Sequence, residues 1–506
     1  MKKLLLPIFL LSVSILKAQP GSLDISFGDN GTVVTAFGNG YDQPTGLLIQ
    51  PDQKIVMGGH AYLEPLFKSV LVRVDEQGAF DNSFNDDGIT FPDFDYTTLS
   101  DPITDLLVQQ PDGKLVFGTV TDNLNPEMGL VRFNNDGSVD TDFGINGLAT
   151  QEVYFDGTSE KAVRLQPDGK ILVVGSAPSS ASTLAVARFN NDGTPDNTFN
   201  GSGSKLYDYK TSEFIIDACI LSDGKILLFI GYFDAGARIA VVRILEDGSL
   251  DATFGVDGIL PVDISPEYES PRSITLLSDG KILLAGVVGS NDHDIFLVKM
   301  DTDGVMDNSF GSSGIVIVEN GGNIYGEDVV EANDGNILVA GYDDLVATIQ
   351  GLVLRFLPNG ALDTSFGDDG FAEVIADDYR FENIRLQADQ QIVVSGWYDT
   401  GSNNFEFGVT RLNYFGNTGI SDAAINPFIN IFPNPSSGSI TITTGSKMRS
   451  GIIRVVDMFG RNIFEKEIMN ASGIQIPAGI ISQGIYFVKV IDGEDQYSGK
   501  LILERH

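Results

Sequence analysis

Short apolar runs, each broken by a Gly, Asp or Asn turn, follow one another from residue 23 to residue 413 in a fixed order. In residues 158–207, Ala162–Gln166 leads through the Pro167-Asp168-Gly169 turn into Ile171–Ser176. Leu184–Phe189, a turn at Asn190–Gly193 and Gly203–Tyr207 complete the unit. Runs of this length without helical periodicity predict four antiparallel strands. The unit recurs about every 56 residues, and three markers recur with it. Asp-x-x-Phe ends at Phe27, Phe84, Phe143, Phe199, Phe254, Phe310 and Phe366. A tight turn begins at Asp52, Asp112, Asp168, Asp223, Asp279, Asp334 and Asp389, and a strand carries Arg73, Arg132, Arg188, Arg243, Lys299, Arg355 or Arg411. Seven four-stranded units predict an all-β, seven-bladed β-propeller. The chain enters at Leu23–Phe27 with a fourth-strand sequence and leaves at Val409–Asn413 with a third strand. The N-terminal strand is therefore expected to complete the last blade and close the ring.

At 506 residues the chain exceeds what one core usually serves, so at least two folding units are expected. Residues 1–18 read as a secretory signal peptide: Lys2 and Lys3, an apolar stretch from Leu4 to Leu16, and Ala18 at the cleavage position. No other apolar run approaches the roughly 20 residues of a bilayer span, so no transmembrane segment is expected in the mature protein. A formal charge of −37 argues against nucleic acid as a partner. The lone Cys219 sits in an apolar run and reads as core.

Phe133-Asn134-Asn135-Asp136-Gly137-Ser138-Val139-Asp140 and its six counterparts, with the Asp-Gly-Lys-Ile-Leu turn, resemble the bacterial delta-60 repeat family of β-propellers. The departures fall at the ends, where Gln53 and Gln390 replace the turn Gly. The resemblance implies the fold and leaves the activity open. It assigns residues 19–416 to the propeller.

Residues 417–427 read as a linker, and 428–506 alternate as strands of a small β-sandwich. Phe432-Pro433-Asn434-Pro435, a segment with Asp457, Gly460 and Arg461, a segment with Gly484, Tyr486 and Lys489, and Lys500-Leu501-Ile502-Leu503 follow in order. These resemble the type A sorting domain of type IX secretion cargo. The resemblance implies as partners the type IX machinery and its sortase-like peptidase. It also implies a secreted or surface-attached location.

The seven mid-strand bases invite a reading as a ring of anion sites, but each unit also carries Asp at neighbouring turns, so local ion pairing explains them. Asx-turn chemistry likewise explains the Asp-rich turns. No cofactor is called for, and calcium is the one candidate cation. His60 and His293 lack metal-ligand spacing, and no catalytic motif stands out. Strand alternation places the longer loops on one face, and twelve of the thirteen propeller tyrosines fall there, with acids beside them. Tyr96, Tyr207, Tyr209, Tyr232, Tyr342, Asp343, Tyr379, Trp397, Tyr398 and Asp399 are the candidate ligand-binding rim for a glycan or protein. The competing reading has these tyrosines capping blade ends. The expected function is a non-catalytic binding or adhesion module. A glycan hydrolase or lyase on the same face and a structural surface-layer protein are the alternatives.

Overall fold

The computed structural model describes residues 19–38, 42–63, 66–92, 106–120, 127–153, 160–177, 183–210, 212–234, 236–290, 292–344, 348–374, 378–399, 405–415, 429–432, 439–457, 461–477, 481, 484–492 and 495–503. The signal peptide, the linker, Tyr96, Pro433, Asn434, Pro435 and Gly460 lie outside these residues. Every regular element among them is a β-strand. The chain divides into two compact units, with Ala18–Gly416 forming one and Asn417–His506 belonging to the other.

Among its described residues the larger unit holds seven four-stranded antiparallel sheets. Blade 3 shows the plan: Glu160–Leu165, Ile171–Ala177, Thr183–Phe189 and Ser204–Tyr207 pair in chain order. The first strands of blades 1 to 7 include Gln43–Ile49, Leu107–Gln109, Glu160–Leu165, Phe214–Ile220, Glu269–Leu276, Ile324–Glu331 and Asp378–Leu386. Residues from all seven line one cavity of about 510 Å³. Val, Ile and Leu run almost without interruption along the inner strands, as in Ile282–Val288, and their side chains meet those of neighbouring blades. Val173 and Ala187 of blade 3, for example, share a cluster with Phe117 and Phe133 of blade 2.

The seventh blade is built from both ends of the unit. Asp378–Leu386, Ile392–Asp399 and Phe405–Leu412 pair in order, and Thr32–Thr35 adds the fourth strand, with Thr32 opposite Thr410 and Thr35 opposite Phe407. That strand starts later than the sequence reading placed it. Asp24–Phe27 form a turn instead, closed by the Phe27 amide on the Asp24 carbonyl at 3.0 Å.

In the smaller unit, Ile429–Phe432, Ile440–Asp457, Asn462–Ile476, Gly484–Asp492 and Asp495–Leu503 form one five-stranded sheet. The long strand Ile440–Asp457 pairs with Ile429–Phe432 through its first half and with Gly484–Asp492 through its second. Ile440 and Ile442 of the first half pack in one core with Val455, Tyr486, Val488 and Leu501. The five paired strands thus enclose one core of their own. Asp457 lies opposite Tyr486, Gly484 opposite Leu503, Lys500 opposite Phe487, and Phe432 opposite Thr441. Lys489 is half-buried opposite Arg454 and Ser498, and Arg461 is exposed. The sorting motifs are neighbours because each of the four contributes residues to one of four strands adjacent in the sheet.

Candidate functional site

The three repeat markers prove to be parts of one device. In blade 3, Arg188 Nε lies 2.7 Å from Asp196 of Asp-x-x-Phe, and its guanidinium stands 4.9 Å from the Phe199 ring centroid. Its Nη1 donates to the Glu246 carbonyl of blade 4 at 2.6 Å. Lys170, from the Asp-Gly-Lys turn, reaches the same Asp196 carboxylate at 3.3 Å. The other Asp196 oxygen accepts from the Thr198 amide and hydroxyl. Burial works to raise Asp196, but these bonds and Arg188 hold it down to about 2. Arg73, Arg132, Arg243, Arg355 and Arg411 repeat the arrangement, donating to carbonyls of Asn135, Asn191, Thr302, Tyr414 and Glu76 in the next blade. Every Phe of the marker is fully buried. The six mid-strand arginines are therefore latches between blades, while Lys299 pairs with Asp279 of its own blade at 2.9 Å, and local ion pairing is what the sequence led one to expect.

The turn carboxylates are occupied in the same local way. Asp136 Oδ1 accepts from the Ser138 amide and hydroxyl, and Asp301 Oδ1 from the amides of Asp303 and Val305. Among the described residues no group of three or more His, Cys, Asp or Glu side chains that could hold a metal ion converges. Cys219 is buried, and burial pushes its thiol well above the usual range. His60 is buried against Phe117, and burial alone lowers it to about 4.

The tyrosines divide. Tyr207, Tyr232, Tyr342, Tyr379 and Tyr398 are only 4–7% exposed. Tyr207 Oη donates to the Gly248 carbonyl of blade 4 at 2.7 Å, and Tyr398 Oη lies 2.8 Å from Thr410 Oγ1. Tyr379 packs edge-on against Tyr398, and Tyr209 against Tyr232. Asp343 is buried and accepts from Asn320 Nδ2 at 2.8 Å, while Asp399 is half-buried opposite Phe405. All five of these rings, Tyr342 included, leave little surface exposed, as the blade-capping reading expects of them.

Tyr342 and Trp397 are brought together, and by a residue that the sequence reading missed. Arg380 lies over both rings, 4.4 Å from the Tyr342 centroid and 4.6 Å from that of Trp397. Trp397 Nε1 donates to Glu382 at 3.2 Å, and Arg272 Nε pairs with Glu327 at 2.8 Å. Arg272, Glu327 and Glu382 occupy the same place in blades 5, 6 and 7, the extra residue of a first-strand bulge. A bulge residue has no ladder partner and is free to be re-aimed. Burial, then the negative charge of Glu327, pushes Glu382 up to about 7. A row of rings leads to this cluster: Tyr268 to His293 at 6.1 Å, His293 to Tyr325 at 5.0 Å, and Tyr325 stacked on Tyr342 at 4.6 Å. Phe405 extends it beyond Trp397 at 4.4 Å. In the sequence this position, seven residues before each turn Asp, varies as Thr45, Lys161, Ile216, Arg272, Glu327 and Glu382, and its neighbours vary as well, so nothing there marked it out.

Residues 110–143, 166–199, 221–254, 277–310 and 332–366 match the family described as domain of unknown function (DUF5122) beta-propeller. Residues 430–504 match the secretion system C-terminal sorting domain. The chain is a β-propeller protein with a type IX sorting domain, and such a tail directs export to the cell surface or beyond. Each propeller match runs from a tight turn to the Phe of the latch, in blades 2 to 6. No curated protein matches the chain. Among solved structures, a catalytically inactive virginiamycin B lyase from Staphylococcus aureus with quinupristin is similar at 14% identity, covering 75% of this chain and 98% of that one, with a TM-score of 0.44. The polysaccharide lyase Uly1 gives 11%, 77%, 92% and 0.43, and Drosophila Semaphorin 2a 9%, 94%, 98% and 0.42. These are distant likenesses in shape. Among the described residues no helix is long and apolar enough to cross a membrane.

Proposed function

We propose that this secreted propeller is a non-catalytic binding module that takes a saccharide chain on the long-loop side of blades 5 to 7. The observation that carries the reading is the row of rings from Tyr268 to Phe405, interrupted only by Arg380. Aromatic faces stack on sugar rings, and a row suits an extended chain better than a single small molecule. After crossing the outer membrane, the sorting domain is removed by the sortase-like peptidase and the propeller is released or attached. The test is a glycan array probed with the mature full chain, as wild type and as Trp397→Ala, with and without calcium. Identical profiles for the two proteins would reject the site.

A second reading, a glycan hydrolase or lyase, is favoured by one observation. A carboxyl group that titrates near 7 is suited to proton transfer at neutral pH, and Glu382 is such a group. Incubating any glycan that binds with wild type and Glu382→Gln, and following new reducing ends and unsaturated products, decides between them. Turnover lost in the variant would establish the enzyme.

A further inference from the structure

We infer that Arg380 is the anchor for an acidic group, carboxylate or sulfate, on the bound saccharide; the inference rests on the saccharide-binding reading above. The propeller has eleven arginines. Six are the latches. Arg164, Arg272 and Arg385 pair with Asp217, Glu327 and Asp328, and Arg238 donates to the carbonyls of Ser265 and Pro266. Arg380 alone makes neither an ion-pair contact nor a hydrogen bond to a carbonyl among the described residues, although the charge of Glu382 acts on it. Its Nη1 lies 3.4 Å from Tyr342 Oη, and its Nε is buried without any hydrogen-bond partner.

A partly buried guanidinium with unmet donors is destabilising unless something else supplies the acceptors. Tyr342 and Trp397 flank this one with ring centroids 4.4 and 4.6 Å from its Cζ, which limits its movement before a ligand arrives. That geometry suits bidentate recognition of a carboxylate or sulfate. The charged groups facing the site are Glu382, Glu327 and Arg272, and Arg272 is already neutralised by Glu327. Net charge at the anchor is therefore set by Arg380 and Glu382. When Glu382 is protonated the site is positive, and an acidic sugar binds more tightly. The overall charge of −37 repels polyanions at long range, but beyond about 8 Å it is screened in physiological salt. A short oligosaccharide is accordingly the right probe.

The experiment is calorimetric titration of the mature full chain with two matched pairs: an oligogalacturonate against its carboxyl-reduced neutral counterpart, and a sulfated against an unsulfated dextran oligomer. The acidic member of one pair should bind about tenfold or more tighter than its neutral partner, as a charge-assisted bond implies. Which pair responds identifies the acid. Arg380→Met should abolish the preference and Arg380→Lys should keep part of it. Affinity should rise as pH falls from 8 to 6, a rise that Glu382→Gln removes. Equal binding of acidic and neutral members, both weakened by Trp397→Ala, would overturn the acidic anchor and leave the saccharide site standing. Unchanged acidic preference in folded Arg380→Met, tighter binding of an acidic peptide than of either sugar, or binding of none of the probes would each overturn it as well.

Discussion

Arg411 of the seventh blade donates through Nη1 to the carbonyl oxygen of Glu76 in the first, while its Nε lies 2.8 Å from Asp24, which precedes every blade in the sequence. One side chain thus ties the last blade to the first blade and to the N-terminal segment. One glutamine, Gln53, reinforces the same seam, and a second, Gln390, ties blade 7 to blade 6 on its other side. Gln53 and Gln390 adopt φ of 69° and 71°, the conformation the turn glycines hold elsewhere. In return, Gln53 Oε1 accepts from the Ala388 amide of blade 7 at 2.7 Å, and Gln390 Oε1 from the Asn333 amide of blade 6 at 3.0 Å. A strained backbone is offset here by bonds a glycine cannot make.

The seam should therefore control stability. Deleting residues 19–38 removes the partner of Phe407–Thr410 and exposes a strand edge, so aggregation or a large fall in Tm is expected. Arg411→Met, which leaves Asp24 without its cation, should cost about 3 kcal/mol. A truncated protein that stays monomeric with an unchanged Tm would show that the N-terminal strand does not hold the blades together.

Capping and binding should separate in two single variants. Tyr207→Phe removes the bond to the Gly248 carbonyl and should lower stability by about 1 kcal/mol without altering affinity for any glycan found. Trp397→Ala should weaken that affinity. The capping assignment fails if Tyr207→Phe changes affinity at constant stability.

Acid should weaken the latches before it reaches the strands. Asp24, Asp140, Asp251 and Asp363 are shifted below the carboxylate range, and Asp196 to about 2, because the hydrogen bonds and cations of the latch outweigh their burial. A depressed folded-state value means stability present above the unfolded value near 4 and lost as pH falls toward 2. Melting curves between pH 7 and pH 2 should show the steepest loss below about 4. A flat profile from 4 to 2 would contradict the latch.

Export should depend on the second unit. Removal of residues 428–506 should leave the propeller in the periplasm, because the signal peptide serves only the inner membrane. Cell fractionation with an outer-membrane integrity control decides it, and truncated protein outside intact cells would count against the sorting role.

The architecture was legible because three markers repeat in phase, and phase is a property of sequence alone. Their meeting was not legible: Arg188, Lys170 and Asp196 are close only once strands pair, and Glu246 belongs to another blade. The turn glutamines Gln53 and Gln390 looked like decay of the repeat, although each bonds to a neighbouring blade. At the candidate site, Tyr342 and Trp397 stood out as aromatic. Arg380, Glu382 and Glu327 did not, since single charges carry little information in a chain this acidic. Burial of Tyr207 and Tyr398 was hidden for a related reason, because loop-side position says nothing about which way a ring turns.

Thr32 and Thr410 pair across 378 positions of sequence. A chain delivered from its N-terminus must hold the strand at Thr32–Thr35 unpaired until almost the whole propeller has emerged, so the final pairing is also the slowest in loop-closure terms. The sorting domain begins only a short way beyond Leu412. The folding clock of the first unit therefore runs out just before the address for export is read, and a chain interrupted at any blade carries neither its last pairing nor its passage out of the cell.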